Sequence, residues 1–118
     1  MSTVLVVDDD PRMRDLLYRL FRDAGYSVTA VETGRAALQV GAAGSYAAAL
    51  VELELPGKDG IETIQALKAL SPKLSILAMS AGDPDALEAA RKQGADQIIA
   101  KPFRAEQVLD KVVGALGQ

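Results

Sequence analysis

Five times in 118 residues a short apolar run gives way to a stretch with apolar residues at helical spacing, and this alternation constrains the fold more than any other feature. The apolar runs are Thr3 to Val7, Tyr26 to Val31, Tyr46 to Glu52, Lys73 to Met79 and Gln97 to Ala100. Between and after them the pattern predicts helices over Pro11 to Ala24, from a Thr33 cap to Ala43, over Lys58 to Leu70, from an Asp83 cap and Pro84 to Gln93, and over Ala105 to Leu116. Connections this short, returning right-handed, imply an α/β fold: a parallel sheet with helices on both faces. The first run carries no charge, as expected of a central parallel strand covered on both sides. The second alternates more and is expected at an edge.

Helical spacing also names a core. Met13, Leu16, Leu17, Leu20 and Phe21 are the expected buried stripe of the first helix, with Gly25 as its stop. Ile61, Ile64, Leu67 and Leu70 serve the third helix, and Val108, Leu109, Val112, Val113 and Leu116 the last. The fourth has one large apolar residue, Leu87.

A chain of this length suits a single domain over residues 1–118. Its net charge of −3 and pI near 4.9 argue against a nucleic-acid surface, which is normally basic. The absence of cysteine removes disulfide and thiolate chemistry, and the absence of histidine removes the commonest general base and metal ligand. No run approaches the ~20 apolar residues of a membrane span, and Val4 to Val7, followed at once by aspartates, is too short for a signal peptide. The expectation is a cytoplasmic protein that meets neither membrane nor nucleic acid directly.

Four runs end in polar groups. The first leads to Asp8-Asp9-Asp10, the third ends in Glu52, the fourth reaches Ser80, and the fifth leads to Lys101-Pro102-Phe103. In a parallel sheet these groups share one edge, where open α/β sheets build their sites. Carboxylates, one hydroxyl and one ammonium suit a divalent cation with a phosphoryl group. Mg²⁺ takes one or two carboxylates plus phosphate oxygens and water, and lysine and hydroxyl can hold the remaining phosphoryl oxygens. Taken singly, these residues have plainer roles. Asp10, just before Pro11, reads as a helix cap, Asp59 and the Glu54 side chain as loop groups, and Gly57 and Gly60 as turn and helix-start residues.

The run Val4-Leu5-Val6-Val7-Asp8-Asp9-Asp10, the stretch Leu53-Glu54-Leu55-Pro56-Gly57-Lys58-Asp59-Gly60, the pair Ser80-Ala81 and the triplet Lys101-Pro102-Phe103 stand in an order and spacing that resembles the receiver domain of bacterial two-component response regulators. The resemblance covers essentially the whole chain. It implies a flavodoxin-like three-layer (βα)5 sandwich with strand order 2-1-3-4-5. It implies that Asp8 and Asp9 hold Mg²⁺, with Glu54 giving a backbone carbonyl and its side chain bordering the pocket. Ser80 would be the switch hydroxyl and Lys101 the partner of a phosphoryl oxygen, with a cis bond to Pro102. A sensor histidine kinase or phosphotransfer protein would act upstream, and an output partner would bind the face of the fourth helix, fifth strand and fifth helix. Such a domain is a signalling switch, not an enzyme.

Two positions depart from the family pattern. Ile98 stands where an aromatic residue often reports activation, and Glu52 stands where the phospho-accepting aspartate belongs. Glutamate adds one methylene, roughly 1.5 Å of reach. In-line attack at phosphorus tolerates little of this, since ~1 Å of misplacement can cost ~10²-fold in rate. Very poor phosphorylation is expected. The same reach allows the Glu52 carboxylate to lie among Lys101, Ser80 and a bound cation, imitating the product with one charge where a phosphorylated residue brings ~1.5 to 2. The alternatives are an acid merely paired with Lys101, in a binding module that ignores phosphorylation, and, more remotely, a haloacid-dehalogenase-like phosphatase using Asp8 and Asp10. Against the phosphatase, Arg12 replaces a small residue, and Glu106 and Asp110 fall on the last helix instead of at a strand end. A flavodoxin-type cofactor carrier would need a glycine- and hydroxyl-rich first loop, where this chain has three aspartates.

Overall fold

The computed structural model describes residues 2–55 and 59–117. The elements run β1 (Thr3–Val7), α1 (Pro11–Asp23), β2 (Ser27–Val31), α2 (Gly34–Ala43), β3 (Ala48–Glu52), α3 (Gly60–Leu70), β4 (Ser75–Ser80), α4 (Pro84–Lys92), β5 (Gln97–Ala100) and α5 (Ala105–Ala115). All strand pairs are parallel, in the order β2-β1-β3-β4-β5. This is the flavodoxin-like sandwich, with β2 at an edge as its alternation required. Among the described residues no helix is long and apolar enough to cross a membrane.

Each strand presents alternate residues to two separate cores, the consequence of the two-residue strand period. Leu5, Val7, Ala49, Val51, Ile76 and Ala78 meet Ala37 of α2, Ile64 and Leu67 of α3, and Leu87 and Ala90 of α4. On the other face Val4, Val6, Leu50, Leu77 and Met79 meet Leu17 and Phe21 of α1 and Val108 and Val112 of α5. The central strands are therefore buried on both sides, which is why they read as unbroken apolar runs.

The structure corrects the expected core at two leucines. Leu16 is 44% exposed and Leu70 51%. At 100° per residue Leu16 sits at the margin of the stripe centred on Leu17 and Phe21. The series Ile61, Ile64, Leu67, Leu70 steps by three, so each member turns about 60° from the last and Leu70 has rotated out of the core. Strand starts also move inward: β3 begins at Ala48 instead of Tyr46, and β4 at Ser75 instead of Lys73. Before β4, the Leu74 N–H donates to Ser71 O, closing a turn that keeps Lys73 out of the sheet. The expected turn at Gly57 and helix start at Lys58 lie outside the described residues.

Helix starts follow their caps. Asp10 accepts a hydrogen bond from Arg12 N at 3.0 Å, Thr33 from Ala36 N at 3.0 Å, Asp59 from Ile61 N at 2.8 Å and Asp83 from Asp85 N at 2.9 Å.

Candidate functional site

The sheet register delivers the polar groups to one edge. Val7 pairs with Val31 and Val51, Glu52 with Met79, and Ser80 with Ala100. Backbone bonds extend the ladder beyond the strands, from Asp8 N to Val31 O at 3.1 Å, Leu53 N to Met79 O at 2.9 Å and Lys101 N to Ser80 O at 2.8 Å. Asp8, Glu52, Ser80 and Lys101 thus come from four adjacent strand ends, as the alternation implied.

Lys101 is the centre of the cluster. Its ammonium lies 2.8 Å from Asp8 Oδ2 and 3.0 Å from Glu52 Oε2, and the two carboxylates are 1% and 6% exposed. The bond between Lys101 and Pro102 is cis, as expected. The Lys101–Asp8 contact is a well-formed hydrogen bond. The Lys101–Glu52 contact is close enough for an ion pair but is not aligned as a hydrogen bond, so the buried Oε2 of Glu52 has no hydrogen-bond donor. Asp8 Oδ1 accepts from Asp10 N at 2.9 Å. Burial works to lower the Lys101 pKa, but the hydrogen bond to Asp8 and the nearby charges of Asp8 and Glu52 carry it above its ordinary value.

Glu52 is the perturbed acid of the site. Burial pushes its carboxyl up to about 7, against the pull of Lys101, and the neighbouring Glu54 carboxylate adds to the rise. The folded protein holds that proton to about pH 7, while the unfolded chain releases it near the ordinary 4.5. Folding therefore takes up a proton between these values, and stability falls as pH rises through this window, levelling off above it. In metal-free buffer this group alone is expected to remove on the order of 2.5 kcal/mol between pH 5 and pH 8. Glu52→Gln should flatten that dependence in urea unfolding. Parallel curves for the two proteins would exonerate Glu52.

Two contacts were not foreseen from sequence. Glu54 was expected to be a loop side chain at the pocket border, yet its Oε2 accepts a hydrogen bond from Ser80 Oγ at 2.7 Å. An acid two residues beyond a strand-end acid was the only available signal, because alternation returns it to the same side. Arg14 falls within the first predicted helix, and nothing in the sequence pattern singles it out. Its guanidinium Nη1 donates to Asp8 O at 3.1 Å and Asp9 O at 3.4 Å and lies 3.9 Å from Glu32, so it grips the acidic loop from the second turn of α1. Asp9 itself is exposed, and Asp10 serves as the cap. Ile98, partly buried, packs against the core face shared with α3 and α4.

Among the described residues no three acidic side chains are placed to cage a metal ion. Asp8 and Glu52 bring two buried carboxylates to one edge, and Mg²⁺ takes one or two carboxylates together with water and phosphate oxygens. The Glu52 oxygen that lacks a hydrogen-bond donor, beside two carboxylates that share a single ammonium among the described residues, fits the approach of a hard divalent cation.

Comparison with known proteins bears on this arrangement. The family described as the response regulator receiver domain matches residues 4–113. The chain is 35% identical over 119 residues to the response regulator protein FleR of Pseudomonas aeruginosa, covering 99% of this chain and 25% of that protein. It is 30% identical over 110 residues to sporulation initiation phosphotransferase F of Bacillus subtilis, covering 92% of this chain and 89% of that one. It spans 57% and 51% of the lengths of two further curated relatives. A crystal structure of a response regulator protein from Burkholderia pseudomallei, with a phosphorylated aspartic acid, calcium ion and citrate, superposes at a TM-score of 0.89 with 27% identity, covering 99% of this chain and 69% of that one.

Proposed function

The chain belongs to the response regulator receiver family of two-component signalling, and from that premise we propose that it is a receiver switch whose phosphoryl input is impaired or imitated by glutamate at the acceptor position, Glu52. Receivers are signalling domains rather than enzymes, so the chemistry at issue is one phosphoryl transfer and its reading by partners. The single receiver domain would span residues 1–118.

The observation that carries this reading is the buried Lys101–Glu52 contact of 3.0 Å, with Ser80 beside it on the next strand. A lysine and a hydroxyl flanking an acid at the end of β3 is the arrangement needed to hold the oxygens of a phosphoryl group on that acid. Glu52 already reaches the ammonium, so its carboxylate takes a place that a phosphoryl oxygen would take. Asp8, Asp9 and the Glu54 backbone carbonyl would hold Mg²⁺, with the Glu52 carboxylate at its border. Bound there, the cation would neutralise charge on phosphoryl oxygens. Arg14 would hold the carbonyls of Asp8 and Asp9 in place from behind. The phosphorylated aspartic acid and the calcium ion of the Burkholderia pseudomallei protein are consistent with this division of roles.

A sensor histidine kinase or phosphotransfer protein would supply the input. Output would pass through the face of α4, β5 and α5, where β5 is one of the two edge strands of the sheet. Ile98 offers that face no ring to swing, which directs attention to the shape of the site loop and α4 as the carrier of the signal.

Intact-mass measurement with Mg²⁺ and acetyl phosphate tests the assignment. We expect the unaltered chain to gain no phosphoryl group on the time scale at which Glu52→Asp becomes labelled, a rate difference of ~10²-fold or more. Equal labelling of both would remove Glu52 as the block. Labelling of neither would make the chain a phosphorylation-independent binding module.

A further inference from the structure

Ser80 is fully buried and makes two hydrogen bonds. Its Oγ accepts from the Gly82 N–H at 2.9 Å and donates to Glu54 Oε2 at 2.7 Å. A hydroxyl has a single proton, and here it is already given to a carboxylate of the chain itself. Glu54 is exposed, on the loop after β3, and reaches inward across the end of β4. Its carboxyl carbon and Oε1 both lie 3.8 Å from the position a Cβ on Gly82 would occupy, so the carboxylate lies against the turn that follows Ser80. The ammonium of Lys101 is likewise taken, by Asp8 and Glu52. Both groups able to receive the oxygens of an anion are therefore engaged by internal carboxylates, and they are engaged by different ones.

We propose that Glu54 is a latch on Ser80, a second barrier to a phosphoryl-type oxyanion that acts through a different group from the one Glu52 engages. The inference rests on the reading of Ser80 and Lys101 as the anion-holding pair. An oxyanion entering the site gains the Ser80 proton only when the Glu54 carboxylate releases it, and a hydrogen bond to an ionised acceptor is about twice as strong as a neutral one. Glu54 also repels an incoming anion by charge alone, but that effect does not need Ser80. The latch acts through the hydroxyl, and this separates the two.

The first readout needs no phosphoryl chemistry. In the otherwise unaltered chain, the Ser80 hydroxyl proton should exchange slowly enough to be seen by NMR, and Glu54→Ala should abolish that signal. Persistence of the signal in Glu54→Ala overturns the latch. The second readout is the rate of phosphoryl uptake from acetyl phosphate with Mg²⁺. In Glu52→Asp, an oxygen of the introduced carboxylate attacks phosphorus, the bond from phosphorus to the acetate oxygen breaks, and acetate leaves.

Four proteins close a cycle: Glu52→Asp alone, and the same change combined with Glu54→Ala, with Ser80→Ala, and with both. Glu54→Ala is expected to speed uptake about tenfold while Ser80 is present, and less than about twofold once Ser80 is removed. Equal acceleration in both backgrounds would reduce Glu54 to charge repulsion and overturn the latch. Uptake by Glu52→Asp with no acceleration from Glu54→Ala overturns the latch and leaves the receiver assignment standing. Uptake by none of the four overturns the assignment of the site, and the latch with it.

Discussion

Lys101→Met is expected to destabilise the protein by about 3–5 kcal/mol in metal-free buffer at pH 8, the range for breaking a buried ion pair by removing one partner. Among the described residues Lys101 is the cation within ion-pair reach of both Asp8 and Glu52, and none of the three side chains exceeds 14% exposure. Methionine keeps much of the lysine stem's packing and leaves two buried carboxylates without their countercharge. Asp8 would retain the Asp10 N–H, but the Glu52 oxygen that faces Lys101 would retain nothing. The penalty should shrink toward pH 5, where Glu52, already pushed up to about 7 in the intact site, takes a proton. Adding Glu52→Gln to Lys101→Met should recover part of the loss for the same reason. Urea unfolding of the three proteins at both pH values measures this. A loss under about 1 kcal/mol at pH 8 would mean that water screens the cluster as it does a surface pair.

Gly60→Ala is the second large effect expected, and it comes from space rather than charge. A Cβ at Gly60 would stand 2.5 Å from Glu52 O, 2.5 Å from Leu53 Cα and 2.8 Å from Leu53 O. All three atoms are backbone, so no flexible side chain can yield. Either α3 lifts from the sheet or the end of β3 shifts, and the latter moves the residue that carries the site carboxylate. The Gly60 N–H also donates to Leu53 O at 3.1 Å, a bond that fixes the same approach. Overpacking of this kind is expected to cost about 3 kcal/mol. In a domain of this size that lowers the melting temperature by on the order of 10–20 °C. Gly114 in α5 has nothing within 4 Å of its Cβ position and provides the control. Gly114→Ala should leave stability unchanged or raise it by up to ~1 kcal/mol. A Gly60→Ala melting temperature within a few degrees of the unaltered protein would show that the α3–β3 contact adjusts freely.

Much of the architecture was legible in the sequence because strand and helix periods differ so plainly here. Uncharged runs such as Val4 to Val7 marked the doubly covered strands, and the alternation from Tyr26 to Val31 marked the edge. Asp10, Thr33 and Asp83 announced helix starts, since a short polar acceptor just ahead of an apolar period has one local use. The convergence of Asp8, Glu52, Ser80 and Lys101 was legible for a related reason. In a parallel sheet with right-handed returns, residues at the ends of successive strands share one edge.

What the pattern misjudged lay where direction, not position, matters. Leu16 and Leu70 obey helical spacing loosely, yet their angle on the helix turns them to solvent. The Glu54 side chain was placed at the pocket border without its partner Ser80, and Arg14 lay within the first helix with no partner assigned. Period and chain handedness were enough to determine the layers and to bring the strand ends to one edge, because these depend on local repeat; the strand order came with the motif resemblance and is the one observed. The pairing of Glu52 with Lys101 was already offered by the motif order, but tertiary structure alone decided the other partners: Lys101 with Asp8, Ser80 with Glu54, Arg14 with the carbonyls of the acidic loop. Those pairings turn on side-chain reach and burial at distances of about 3 Å, a scale on which neighbours in space need not be neighbours in sequence.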